Sequence, residues 1–129
     1  MTGDEPLEEL YIDSAEINKK RLSKALSDII GIDRDAGKTV ILEGFSDLNQ
    51  SQKVFAYLLS RRVAYALGHV EESELGMSAS EIEKETGVPQ GTIRRYCSES
   101  RLVESDDEKG GYVIPSYAIS QAIDELGGD

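Results

Sequence analysis

Histidine, cysteine and tryptophan are nearly missing from this chain, which has one His, one Cys and no Trp in 129 residues. The lone Cys97 excludes an intramolecular disulfide, and His69 has no cysteine nearby with which to build a metal site. No apolar run approaches the roughly 20 residues that span a bilayer, so no membrane partner is expected. The opening MTGDEPLEEL is acidic and lacks the apolar stretch of a secretory signal. The expected location is therefore cytoplasmic. Catalytic pairings are missing as well. No Ser–His–Asp or Cys–His arrangement, and no carboxylate pair in an evident pocket, points to an enzyme, and no cofactor is expected.

Lysine is scarce too: seven lysines and seven arginines face 25 acidic residues, for a net charge of −11. Such a balance is unusual for a protein that binds a polyanion. The acid is unevenly placed, however. Residues 1–13 carry −5, 69–77 carry −3 and 102–129 carry −6, whereas 14–68 hold nine basic against six acidic residues and 78–101 are neutral. A lysine-poor, carboxylate-rich surface also fits a halophile, whose salt-loaded cytoplasm calls for well-hydrated surfaces. There, repulsion from DNA would be screened within a few Å, and most of the counterion-release gain would be lost with it.

A chain of this length is expected to bury roughly two-thirds of its unfolded surface and to fold without staples. Residues 1–13 read as a flexible acidic N-terminus. Residues 14–45 read as a helix plus β-hairpin extension. Its helix places Ile17, Leu22, Ala25, Leu26 and Ile29 near helical spacing, and its two strands join at Arg34–Gly37. From residue 46 the main domain begins. Its longest helix, QSQKVFAYLLSRRVAYALG, buries Val54, Phe55, Leu58, Leu59, Val63, Ala66 and Leu67 and ends at Gly68. An acidic connector, HVEESELGM, follows. The closing helix buries Ile119, Ala122, Ile123 and Leu126, and Tyr112 and Tyr117 read as packing residues beside it.

Residues 78–114 carry the strongest functional signal. Ser78 is an N-cap with Glu81 at capping-box spacing. Gly87 supplies the positive φ that ends the first helix, and Pro89 suits the first turn of the second, 89–100. Ile82, Val88, Ile93 and Cys97 close a small core between these helices. A hairpin, Leu102–Pro115, comes next.

This order resembles the winged helix-turn-helix family of DNA-binding proteins. Ile82 and Ile93 fall on the family's two apolar helix positions, and the hairpin falls where its wing should be. Glu83 stands where the family has a small residue, and the wing tip Ser105–Lys109 is acidic where a basic phosphate contact is usual. The resemblance implies a mostly α, mixed α+β fold: a winged helix-turn-helix with an N-terminal helix-plus-hairpin extension and a C-terminal helix. It also implies a transcriptional regulator whose helix 89–100 enters the major groove of double-stranded DNA.

In that role Gln90, Gly91, Thr92, Arg94, Arg95 and Ser98 face the groove. Arg suits guanine and Gln suits adenine, although Arg94 and Arg95 are also placed to pair with Glu99 or Asp106. Arg61 and Arg62 would touch phosphate, or pair with Glu71, Glu72 or Glu74. Lys19 and Lys20, beside Arg21 and Lys24, would extend a phosphate track, or simply face solvent. A second reading keeps the fold and makes it a protein-interaction module or adaptor that docks a protein partner through the acidic wing and apolar helix faces, with no reading of DNA. Spare apolar faces on helices 14–29 and 116–126, and free edges in the 29–42 hairpin, lead us to expect a homodimer. Gly37-Lys38-Thr39 mimics the end of a phosphate-binding loop, but Ile32 occupies the required first glycine and the context is strand-to-strand. Nucleotide binding is not expected.

Overall fold

The computed structural model describes residues 14–126, and the expectation for residues 1–13 lies outside them. Helix α1 (Ser14–Leu26) leads into an antiparallel hairpin of β1 (Ile30–Ile32) and β2 (Thr39–Ile41). The long helix α2 (Gln50–Ala66) follows, then α3 (Ala79–Thr86) and α4 (Gln90–Glu99). A second antiparallel hairpin, β3 (Glu104–Asp106) and β4 (Gly111–Val113), precedes the closing helix α5 (Ile119–Glu125). The fold class is mixed α+β. No helix among the described residues is long and apolar enough to cross a membrane.

Local chemistry accounts for the helix ends. Asn49 caps α2 by accepting from the Gln52 amide at 2.8 Å, and Gln52 returns the contact to the Asn49 amide at 3.0 Å. Ser78 and Glu81 make the same reciprocal box at the start of α3. Each such cap is worth about 1 kcal/mol. Gly87, at φ 80°, stops α3 in the left-handed region that side chains avoid. Pro89 holds the N-cap of α4 in extended geometry.

Helix α2 is the axis of the core. Val54, Phe55, Leu58 and Leu59 are buried against Ile82, Val88 and Ile93 from α3, its turn and α4, and against Ile119, Ala122 and Ile123 from α5. The same cluster takes in Leu22, Leu26, Ile30 and Phe45, so the N-terminal helix and hairpin share one core with the rest. Burying a side chain of this size stabilises the fold by about 1.5–3 kcal/mol. The last turn of α2 departs from expectation. Ala66 and Leu67 are exposed, Leu67 by 61%, because α2 runs on past the elements that cover its middle.

The connector after α2 holds a feature that its composition hides. Met77 and Tyr112 form an antiparallel bridge, with amide-to-carbonyl bonds of 3.0 and 2.8 Å. Gly76 donates to the Lys109 carbonyl at 2.6 Å. The connector thus pairs with the β3–β4 hairpin and fixes it beside α2. Glycine is required at 111, where φ is 130° and a Cβ would fall 2.6 Å from the Met77 carbonyl oxygen.

Candidate nucleic-acid interface

Helix α4 is held by one side and free on the other. Ile93 and Cys97, four residues apart, are buried toward α2 and α3, while Gly91, Arg94, Arg95 and Ser98 are exposed. Gln90 and Thr92 are half-buried at the edge of the free face. The six residues expected to face DNA therefore lie along the first two turns and outer face of one helix, as the 3.6-residue period dictates. No open cleft is needed for such a face, because a duplex groove would supply the concave partner.

The free face is partly ordered. Gln90 Nε2 donates to Glu83 Oε1 at 2.9 Å, and Arg94 donates to Gln90 Oε1 at 3.1 Å. Glu83 thereby anchors a chain across the turn from α3 to α4, a role its sequence position concealed. Arg95 lies over the Tyr96 ring, 5.2 Å from its centroid. Neither arginine forms an ion pair with Glu99 or Asp106. Cys97 is core filler, and burial pushes its thiol up to about 12.

The other basic residues are more scattered. Arg61 donates to the main-chain carbonyl of Glu74 at 2.5 Å, and its buried Nε has no partner among the described residues. It ties α2 to the connector through a carbonyl, not through any of the carboxylates that its sequence neighbours suggested. Arg62 stacks on Tyr65 at 5.5 Å. Burial lowers its guanidinium pKa, with Tyr65 and Glu72 pulling the other way. Lys19 and Lys20 are exposed on α1, which packs against α5 and α2, whereas α4 packs against α3 and α2. Arg21 leaves the expected basic cluster by pairing with Asp124 at 2.6 Å and bonding Ser120. The structure thus brings the α4 residues together, and it assigns Arg61 and Arg21 to internal contacts.

The β3–β4 hairpin is acidic, and its turn is built by its own carboxylates. Asp106 Oδ1 accepts from the Glu108 amide at 3.0 Å. Its cation, Lys109, turns back to Glu72 at 3.8 Å. Tyr117 is not a packing residue: it is 73% exposed, and its hydroxyl donates to Glu104 at 2.6 Å. That bond holds the phenol above its ordinary pKa. His69 packs over the first hairpin's turn, so near that a Cβ on Gly37 would come within 2.4 Å of His69 Cβ. No cluster of metal-ligating side chains occurs among the described residues.

No protein-family model, no curated protein and no solved structure matches this chain.

Proposed function

We propose that this chain is a winged helix-turn-helix DNA-binding protein, a non-enzymatic transcriptional regulator of the cytoplasm that sets α4 in the major groove. The observation that carries this reading is the division of α4 itself. Ile93 and Cys97 are sealed into the core, while Arg94, Arg95, Gly91 and Ser98 stand free on the opposite face. A helix gripped along one side by a second helix is suited to insertion into a groove about 12 Å wide. The β3–β4 hairpin, paired to Met77, supports the reading by offering a candidate wing. Two copies acting together would read two half-sites, as regulators with short recognition helices usually do.

A fluorescence-anisotropy titration on random duplex, repeated across salt concentrations, tests the reading. Affinity that falls as salt rises supports it. Absence of binding down to about 10 mM salt, where exposed charges act over roughly 30 Å, would overturn it.

One observation favours a second reading. The wing carries Glu104, Asp106, Asp107 and Glu108, and its lysine is committed to Glu72. A wing of that charge suits a basic protein partner better than phosphate. The same titration separates the two, since a protein-docking module would bind no duplex.

A further inference from the structure

The outer edge of β2 in the first hairpin pairs with no strand among the described residues. Its sheet has only two strands, and its hydrogen-bond phase can be read from its ends. Leu42 donates to the Ile29 carbonyl at 2.9 Å and Asp33 to the Lys38 carbonyl at 2.9 Å, with Gly31 opposite Val40 between them. In an antiparallel ladder bonded and non-bonded pairs alternate. The N–H and C=O groups of Thr39 and Ile41 therefore point away from β1, out of the free edge.

Natural proteins guard such edges with lysine, proline, a bulge or a covering element. This one reads Thr39-Val40-Ile41-Leu42, and the three aliphatic residues are 44%, 41% and 37% exposed. The strand is also tied to the core. Thr39 Oγ1 bonds the buried Ser60 hydroxyl of α2 at 2.7 Å. Thr39 and Ile41 thus share the α2-facing side, and Val40 and Leu42 take the other.

We infer that this edge pairs with the same edge of a second copy, joining two hairpins into a four-stranded sheet across a two-fold axis at Val40. The inference rests on the two-copy part of the reading above and is independent of whether α4 touches DNA. Three features select this occupant. A two-fold axis makes the surface its own complement. Centred on Val40, it sets Thr39 opposite Ile41 of the other copy and engages both outward-facing residues of each strand. Shifted to Ile41, it would set Thr39 against Glu43, which has already left the strand for a 3₁₀ turn, and half the bonds would be lost. The flanking charges agree as well. Lys38 precedes the strand and Glu43 follows it, and neither forms an ion pair among the described residues. Antiparallel pairing brings Lys38 within one residue of Glu43 of the other copy.

Sedimentation and oxidative cross-linking of the full chain test the proposal. The wild type should sediment at twice its 14.1 kDa chain mass at tens of micromolar. Val40→Lys, which sets two like charges on the axis, should give a folded monomer. Should Val40→Lys unfold, Ile41→Pro is the substitute, because it removes only an outward N–H from an edge strand. Cross-linking reads the register. Val40→Cys faces itself across a non-bonded pair, where Cα atoms lie about 4.5 Å apart, within disulfide reach. It should form a covalent dimer under mild oxidant, while Lys38→Cys, roughly 13 Å from its copy, should not. Cys97 is buried and stays silent. A wild-type monomer at these concentrations would overturn the inference. So would a dimer that survives both edge substitutions, or equal cross-linking at both positions. Loss of duplex binding by a wild type that still dimerises would count against the DNA reading alone.

Discussion

Glu83 holds Gln90 across the turn between α3 and α4, with Gln90 Nε2 at 2.9 Å from Glu83 Oε1. Arg94 occupies the other end of the same amide, at 3.1 Å. Both Gln90 atoms that would read an adenine edge are thus engaged within the protein, and must be released for a bidentate base contact.

Glu83→Ala should release Gln90 Nε2 and also remove a carboxylate from the edge of the outer face of α4. A hydrogen bond to a charged carboxylate is worth about 1.5–3 kcal/mol net, so duplex affinity should rise by roughly ten- to a hundredfold. Alanine's helix propensity offsets only part of the lost bond, so the melting temperature should fall modestly. Anisotropy titration and thermal melting check both halves. Unchanged affinity would mean that Gln90 takes no part in binding.

Arg94→Ala and Arg61→Ala should separate a base contact from a structural one. If Arg94 reaches a guanine, its loss costs about 1–3 kcal/mol on a specific duplex and relaxes preference at one position. Arg61 is bonded to the Glu74 carbonyl, so Arg61→Ala should lower fold stability by about 1–3 kcal/mol and leave duplex affinity per folded molecule nearly unchanged. Lys20→Ala, if it removes a phosphate contact, should weaken all sequences alike and reduce the salt slope by about one. Denaturant melts paired with anisotropy distinguish the three. An Arg94→Ala protein that binds as the wild type does would remove α4 from the interface.

The helix–turn–helix order was legible because each boundary carries a local signature: Ser78 with Glu81, Gly87 at positive φ, Pro89 before α4. The first hairpin was legible for the same reason, from its turn at 34–37. The Met77–Tyr112 bridge was not, since a single paired residue has no periodicity to detect. Arg61 went to a carbonyl because a sequence displays charges and conceals which main-chain oxygens a fold leaves unpaired. Helical spacing put Leu67 on the apolar stripe of α2, yet spacing cannot say where the covering elements end. The part played by Glu83 needed the distance between two helices, which no local pattern holds.

Alkaline pH should destabilise the fold through Cys97 and Tyr57. Burial pushes both up to about 12, Tyr57 with further help from Glu85 against the pull of Arg61. In the unfolded chain a thiol ionises near roughly 8.5 and a phenol near about 10. Below those values both states are protonated and stability is full. As pH rises toward 12 the unfolded state ionises first and stability falls. Melting temperature should drop across about pH 8.5–12, and Cys97→Ala should show a shallower slope from the start of that window. Equal slopes for the two proteins would show that Cys97 is not the group responsible.

The charge of the β3–β4 hairpin is the most direct handle on which partner this surface serves. Asp106 fixes the turn by accepting the Glu108 amide, which leaves Asp107 and Glu108 exposed at the tip while Lys109 is drawn to Glu72. A wing lying along a phosphate backbone would therefore present the wrong sign. Asp107→Lys reverses the local charge by two without touching the capping bond. If the wing approaches DNA, this substitution should tighten binding, more at about 10 mM salt, where the screening length is roughly 30 Å, than at about 100 mM, where it is near 10 Å. The gain should be the same for all duplex sequences, because phosphate contacts carry no base information. Anisotropy at the two salt concentrations measures it. Affinity unchanged at low salt would place the wing away from the phosphates. Should the wild type bind no duplex while Asp107→Lys abolishes a complex with a basic protein, the acidic tip is itself the recognition element and the partner-docking reading stands in place of the DNA one.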